Sequence, residues 1–128
     1  MPVRGIRGAT TVTVNTEEEI LERTRTLLQE IVTVNGVQQE ELAAVLFTVT
    51  ADLDAAFPAR AARQLGWVHV PLIDALEIPV PGSLPRCIRV LLWWNTDRPA
   101  DQIHHVYQAG ATVLRPDLST FNHPKENS

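Results

Sequence analysis

One cysteine, Cys87, and one lysine, Lys125, are all that these two residue types contribute to 128 residues. A single thiol excludes an internal disulfide and any multi-cysteine metal site. Positive charge is not in excess either, with a net charge of −4 and a pI of about 5.5. That balance argues against nucleic acid as the main partner, because phosphate binding needs a basic face. No apolar run approaches the ~20 residues of a membrane helix. The opening Met-Pro-Val-Arg-Gly-Ile-Arg-Gly has no apolar signal core. A cytoplasmic protein with no membrane partner is the expectation. The sequence has no glycine-rich phosphate loop, no local Ser/His/Asp signature, no repeat and no low-complexity segment. At 14.2 kDa it reads as one domain, residues 1–128, able to bury roughly two-thirds of its unfolded surface.

Arginine is what the chain has. Ten of the 11 basic residues are arginine. A GC-rich genome accounts for such a count but not for the placement. Arg4 and Arg7 fall in a run that otherwise reads as a buried strand. Arg89 lies within Cys87-Ile-Arg-Val-Leu-Leu92, and Arg115 ends Ala111-Thr-Val-Leu-Arg115. A guanidinium keeps its proton in a protein, so in an apolar strand it must meet a carboxylate, a phosphate or backbone carbonyls. Converging guanidinium forks are a way to grip a small molecule with more than one carboxylate.

The expected elements alternate. Residues 3–14 read as a strand, with a β-branched run from Thr10 to Val14. Thr16 and Glu19 form a capping box, and Glu17, Glu18 and Glu19 suit a helix N-terminus. Ile20, Leu27, Leu28 and Ile31 recur at helical spacing up to the stop at Asn35-Gly36. A turn of helix at 38–42 precedes a strand over 43–51. Pro58 opens a short helix ending at Gly66. Residues 67–72 are predicted as a strand and 73–77 as a helical turn. Pro79, Pro81, Gly82 and Pro85 mark a loop. Residues 86–94 are the longest apolar strand, 97–108 a third helix and 111–114 a closing strand. A polar tail from about 116 is expected to be mobile. This order fits an α+β fold, one mixed sheet with helices packed on one face. The other face then needs cover, which oligomerisation often supplies.

Each candidate also has a plain structural reading. Arg7 and Arg89 could be structural ion pairs, and Arg115 a surface arginine. Arg60 and Arg63 share one helix face, which could simply be solvated. Asp74 and Glu77, on the expected helical turn, could be paired acid and base, accept from a hydroxyl, or face solvent. His104 and His105 are adjacent and lack an i+4 partner, so they make a poor metal site. Cys87 fits the core better than a nucleophile's place. The inventory offers binding groups and little reactive chemistry.

Taken in order, the motifs resemble one family across nearly the whole chain. They are Arg4-Gly-Ile-Arg-Gly-Ala-Thr-Thr-Val, Asn15-Thr-Glu-Glu-Glu-Ile-Leu, Thr48-Val-Thr-Ala-Asp-Leu53 and Phe57-Pro-Ala-Arg-Ala. Val70-Pro71, Glu77, Cys87-Ile-Arg-Val90, Asp101 to Tyr107 and Val113-Leu-Arg-Pro-Asp-Leu118 complete the set. The chain thus resembles the monofunctional chorismate mutases of the trimeric α+β type, whose fold is ferredoxin-like and closes as a trimeric pseudo-barrel. The resemblance implies the pericyclic rearrangement of chorismate to prephenate in aromatic amino-acid biosynthesis, with no metal and no cofactor. Holding the chair-like conformer and stabilising charge on the ether oxygen are positioning and electrostatic tasks.

The resemblance also implies roles. Arg89 donates to the ether oxygen and the enolpyruvyl carboxylate. Arg7 and Tyr107 bind that carboxylate, and Glu77 accepts from the ring hydroxyl. Phe57, Ala59, Leu72 and Ile73 line the ring pocket, with Arg60, Arg63, Leu114 and Arg115 at its rim. The pocket lies between adjacent subunits of a homotrimer. This chain departs from the family pattern at Asp74, where cysteine is usual, so two carboxylates are expected to flank one hydroxyl. Arg60 stands where lysine is common. Two alternatives stand beside it: an enamine/imine deaminase of the same trimeric architecture, which also holds a carboxylate with arginine but in a motif absent from this sequence, and a non-catalytic sensor of a dicarboxylate metabolite.

Overall fold

A computed structural model of the chain describes residues 1–114. Arg115 and the expected mobile tail lie outside the described residues. Five strands form one mixed sheet: β1 (Val3–Thr11), β2 (Leu42–Val49), β3 (Leu72–Leu76), β4 (Cys87–Asn95) and β5 (Val106–Tyr107). Their spatial order is β3-β2-β4-β1-β5. The central β4 runs antiparallel to both β1 and β2, while β3 pairs in parallel with β2 and β5 in parallel with β1.

Two helices, α1 (Glu17–Asn35) and α2 (Ala59–Gln64), cover one face, as the α+β reading expects. The helix α1 begins with half of the expected capping box: Thr16 caps it, but the Thr16 N–H donates to the Val14 carbonyl instead of to Glu19. Thr16 accepts from the Glu19 N–H at 3.2 Å. The Glu19 carboxylate reaches back past the cap to Thr13 Oγ1, at 2.7 Å, and to the Val14 N–H, at 3.1 Å. The helix therefore also ties down the end of β1. Ile20, Leu27, Leu28 and Ile31 form its buried stripe, each 0% exposed. Leu27, Leu28 and Ile31 pack in one cluster with Ile6, Phe47, Val90 and Leu92 of β1, β2 and β4, while Ile20 packs in a second with Val12, Leu53 and Ile88. Gly36 ends the helix in the left-handed region, at φ 76°.

Four local expectations need correction. Residues 67–72 do not form a strand. Trp67 and Val70 are buried, but Pro71 carries no N–H for a ladder, and β3 begins only at Leu72. Residues 73–77 are not a helical turn, because the edge of β2 recruits them as β3, with Leu46 opposite Ile73 and Phe47 opposite Asp74. The third helix is absent. Only Ala100–Gln102 makes a 3₁₀ turn, and Val106–Tyr107 instead completes the edge of β1. Ile103 and Val106 fit either reading by spacing, so tertiary pairing decided it. The closing strand is a 3₁₀ segment, Ala109–Leu114, seated by the Gly110 N–H on Thr11 Oγ1 at 2.9 Å.

No helix among the described residues covers the second face of the sheet. Val3, Ile73 and Trp93 lie exposed on or beside it.

Candidate active site

Strand register assembles the site. One row crosses the whole sheet: Ala75 pairs with Thr48, Thr48 with Arg89, Arg89 with Ala9, and Ala9 with Tyr107. Residues directly paired across strands point to the same face. Strands lie ~4.8 Å apart, so Thr48 and Tyr107 stand roughly 14 Å apart across this row. Arg7 precedes Ala9 by two positions and so shares its face. Ala9 is small and provides a floor between the longer side chains.

Of these residues Arg7, Ala9, Thr48, Arg89 and Tyr107 line a concavity of about 310 Å³ with Gly8, Leu46, Val90, Leu91, Glu77 and Leu114, whereas Ala75 does not. That is the lower end of the usual range for small-ligand sites, ~300–1,000 Å³. The Arg89 Nε lies 3.6 Å from Glu77 Oε2, with the arginine half-exposed and the glutamate mostly covered. Thr48 Oγ1 donates to the same Glu77 oxygen. Glu77 Oε1 takes no hydrogen bond among the described residues. The Arg7 guanidinium likewise has no partner there, while its backbone N–H donates to His105 Nδ1 at 2.9 Å. A fixed carboxylate thus stands beside the Arg89 guanidinium, and the Arg7 guanidinium, unpaired among the described residues, lines the same concavity. This arrangement suits an anionic ligand that also carries a hydroxyl.

The other expected residues gather elsewhere. Phe57, Arg60 and Asp74 line a second concavity of about 550 Å³, with Glu17, Asp54 and Leu76. Phe57 is 69% exposed. Arg60 pairs with Glu17. Ala59 is buried, and its N–H donates to Asp74 Oδ1 at 3.0 Å. Arg63 is exposed on α2 and attracts the Asp74 carboxylate. Leu72 packs against the core, and Ile73 is exposed.

Within one chain Asp74 does not stand beside Glu77, because on an extended chain residues three apart face opposite ways. Asp74 instead lies under the start of α2. Burial there pushes its carboxyl above the ordinary range, against the Ala59 N–H and Arg63. Cys87 is in the core, and burial raises its thiol. Thr48 is the site residue that residue-by-residue reading passed over. A lone hydroxyl at an alternate position of an apolar strand was the available signal. No group of three or more His, Cys, Asp or Glu able to hold a metal occurs among the described residues.

Fold and site together define a class: a small α+β protein with an arginine-rich candidate small-molecule site on a sheet face that no helix covers among the described residues. Comparison makes the class specific. Residues 3–118 match the family described as chorismate mutase type I. The chain is 60% identical over 119 residues to chorismate mutase AroH of Thermus thermophilus, covering 92% of this chain and 98% of that one. It is 51% identical over 120 residues to chorismate mutase AroH of Bacillus subtilis, covering 93% and 94%. A solved chorismate mutase from Clostridium thermocellum superposes with a TM-score of 0.85 at 52% identity, covering 86% of this chain and 98% of that one. The chain belongs to the type I chorismate mutase family, and the deaminase alternative gives way to it.

Proposed function

We propose that this chain is an isomerase that rearranges chorismate to prephenate in aromatic amino-acid biosynthesis, as a homotrimer with each site between two subunits. The observation that carries the chemistry is the Arg7–Arg89–Tyr107 cluster facing Glu77 in one concavity. Chorismate has two carboxylates, a hydroxyl and an ether oxygen. One C–O bond breaks as a C–C bond forms, and no proton transfer is needed.

Arg89 supplies preorganised donors where charge develops on the ether oxygen. Its contact with Glu77 fixes the fork before substrate arrives, so little reorganisation remains for the reaction itself. Arg7 and Tyr107 hold the enolpyruvyl carboxylate, which sets the folded conformer. Glu77, fixed by Thr48 and Arg89, accepts from the ring hydroxyl through its remaining oxygen.

The division into two concavities supports the assembly. Phe57 and Arg60 line one hollow and Arg89 the other, so joining the halves of neighbouring chains builds a complete pocket. The uncovered sheet face supplies the surface to bury. Chelator-treated protein should consume chorismate at an undiminished rate, read as loss of its absorbance with prephenate identified as product. Binding without turnover would instead support the sensor reading.

A further inference from the structure

The two-residue strand β5 is too short to hold itself in place. Yet it carries Tyr107 into the site. What fixes it lies on the far side of the sheet. Asn35, the last residue of α1, is 1% exposed. Its Oδ1 accepts from the His104 N–H at 2.8 Å, and its Nδ2 donates to the His104 carbonyl at 2.9 Å. The same Nδ2 donates to the Ile31 carbonyl at 3.0 Å, which anchors the amide to its own helix. The side chain therefore mimics a strand, pairing with both backbone groups of His104. Only one orientation of the amide satisfies all three bonds.

From His104 the chain runs directly into β5. His105 Nδ1 accepts from the Arg7 N–H at 2.9 Å, Val106 is buried, and the Gln108 N–H donates to the Ala9 carbonyl at 2.9 Å. Asn35 thus grips the segment on one side of Tyr107, and Ala9 grips it on the other. Helix α1 is itself locked to the sheet by its buried stripe, so the grip is made to a rigid body.

We propose that Asn35 is a positioning residue for catalysis: its paired bonds to His104 set the place of Tyr107, and through it the hold on a substrate carboxylate. The proposal rests on the chorismate mutase reading above and deepens it. It predicts that a side chain with no contact to substrate controls turnover through one hydroxyl.

Asn35→Asp tests it with least change of shape. An oxygen then replaces Nδ2 and faces the carbonyls of Ile31 and His104, three acceptors with no proton among them. Hydrogen exchange near pH 8, followed by mass spectrometry, should show the peptide covering 103–109 exchanging about tenfold faster, with β2 and β4 still protected. This readout does not depend on activity. Unchanged exchange, or faster exchange throughout the chain, would overturn the proposal.

The second measurement is a double-mutant cycle with Tyr107→Phe. Asn35→Asp should lower kcat/KM about 10–50-fold in the parent and less than about threefold once the hydroxyl is gone. Equal losses in both backgrounds, or a neutral Tyr107→Phe, would refute the positioning role. Should the Asp variant not fold, Asn35→Ser takes its place. Its hydroxyl can satisfy the Ile31 carbonyl, as Thr24 does with Ile20, but it cannot reach His104. An inactive parent with the expected exchange pattern would instead place the failure in the chorismate reading.

Discussion

Arg89 shows what a single residue can be asked to do. Its neighbours in the ladder are Thr48 and Ala9, and its Nε meets Glu77. A lysine at this place would keep the charge but lose the planar fork proposed to span ether oxygen and carboxylate together. We expect Arg89→Lys to lower kcat by ~10²–10³ while the circular dichroism stays that of the parent. A folded variant with near-normal kcat would make Arg89 structural.

Asp74 offers a different single-residue test. Burial raises its folded-state pKa above the ordinary 3.8, so the folded chain holds this proton more tightly than the unfolded chain. Stability from this group therefore falls as pH rises through that window. Asp74→Asn still accepts from the Ala59 N–H and has no charge to bury. Its Tm should exceed the parent's by about 2–5 °C near pH 8, the gap closing toward about pH 4. A gap independent of pH would contradict the argument.

At the scale of elements, the contact between α1 and β1 depends on a missing side chain. A Cβ on Gly8 would come within 2.7 Å of Ile31 Cδ1, 3.1 Å of Val90 Cγ1 and 3.3 Å of Leu27 Cδ1. The helix approaches the sheet this closely because the position is glycine. A branched side chain there must displace the ends of Ile31, Val90 and Leu27 or push α1 outward. Gly8→Val should cost about 1–3 kcal/mol of stability, read from the denaturant midpoint at unchanged m-value. A loss under about 0.5 kcal/mol would show that the helix yields easily.

The whole molecule tests the proposed assembly. Light scattering should give about three times the chain mass. A sharper test mixes two inactive variants, Arg89→Ala and Phe57→Ala, by refolding them together. If each site takes Arg89 from one subunit and Phe57 from its neighbour, about a quarter of the sites in an equal mixture are intact. Activity should return accordingly. No recovery from a mixture that does form trimers would mean that both residues serve one and the same chain's site.

Local sequence determined α1, α2 and the three long strands, because each carries its own signal. Thr16 and Glu19 start a helix, a stripe of Ile and Leu buries one side of it, and Gly36 stops it wherever the chain lies. The arginines in apolar runs likewise pointed to candidates, since a guanidinium has to be answered by something: the Arg98 carbonyl answers Arg4, while Arg7 and Arg89 line the candidate site. Tertiary structure alone decided β3 and β5. Residues 73–77 and 103–107 have short apolar patterns that fit a helical turn as well as a strand. The free edges of β2 and β1 chose between them, because a strand edge leaves N–H and C=O groups that demand partners. That choice then set the geometry of the candidate site. As a strand, β3 sends Asp74 to α2 and Glu77 to Arg89, where a helical turn would have kept the two carboxylates together. As a strand, β5 places Tyr107 beside Ala9, held by an asparagine that no local pattern links to it.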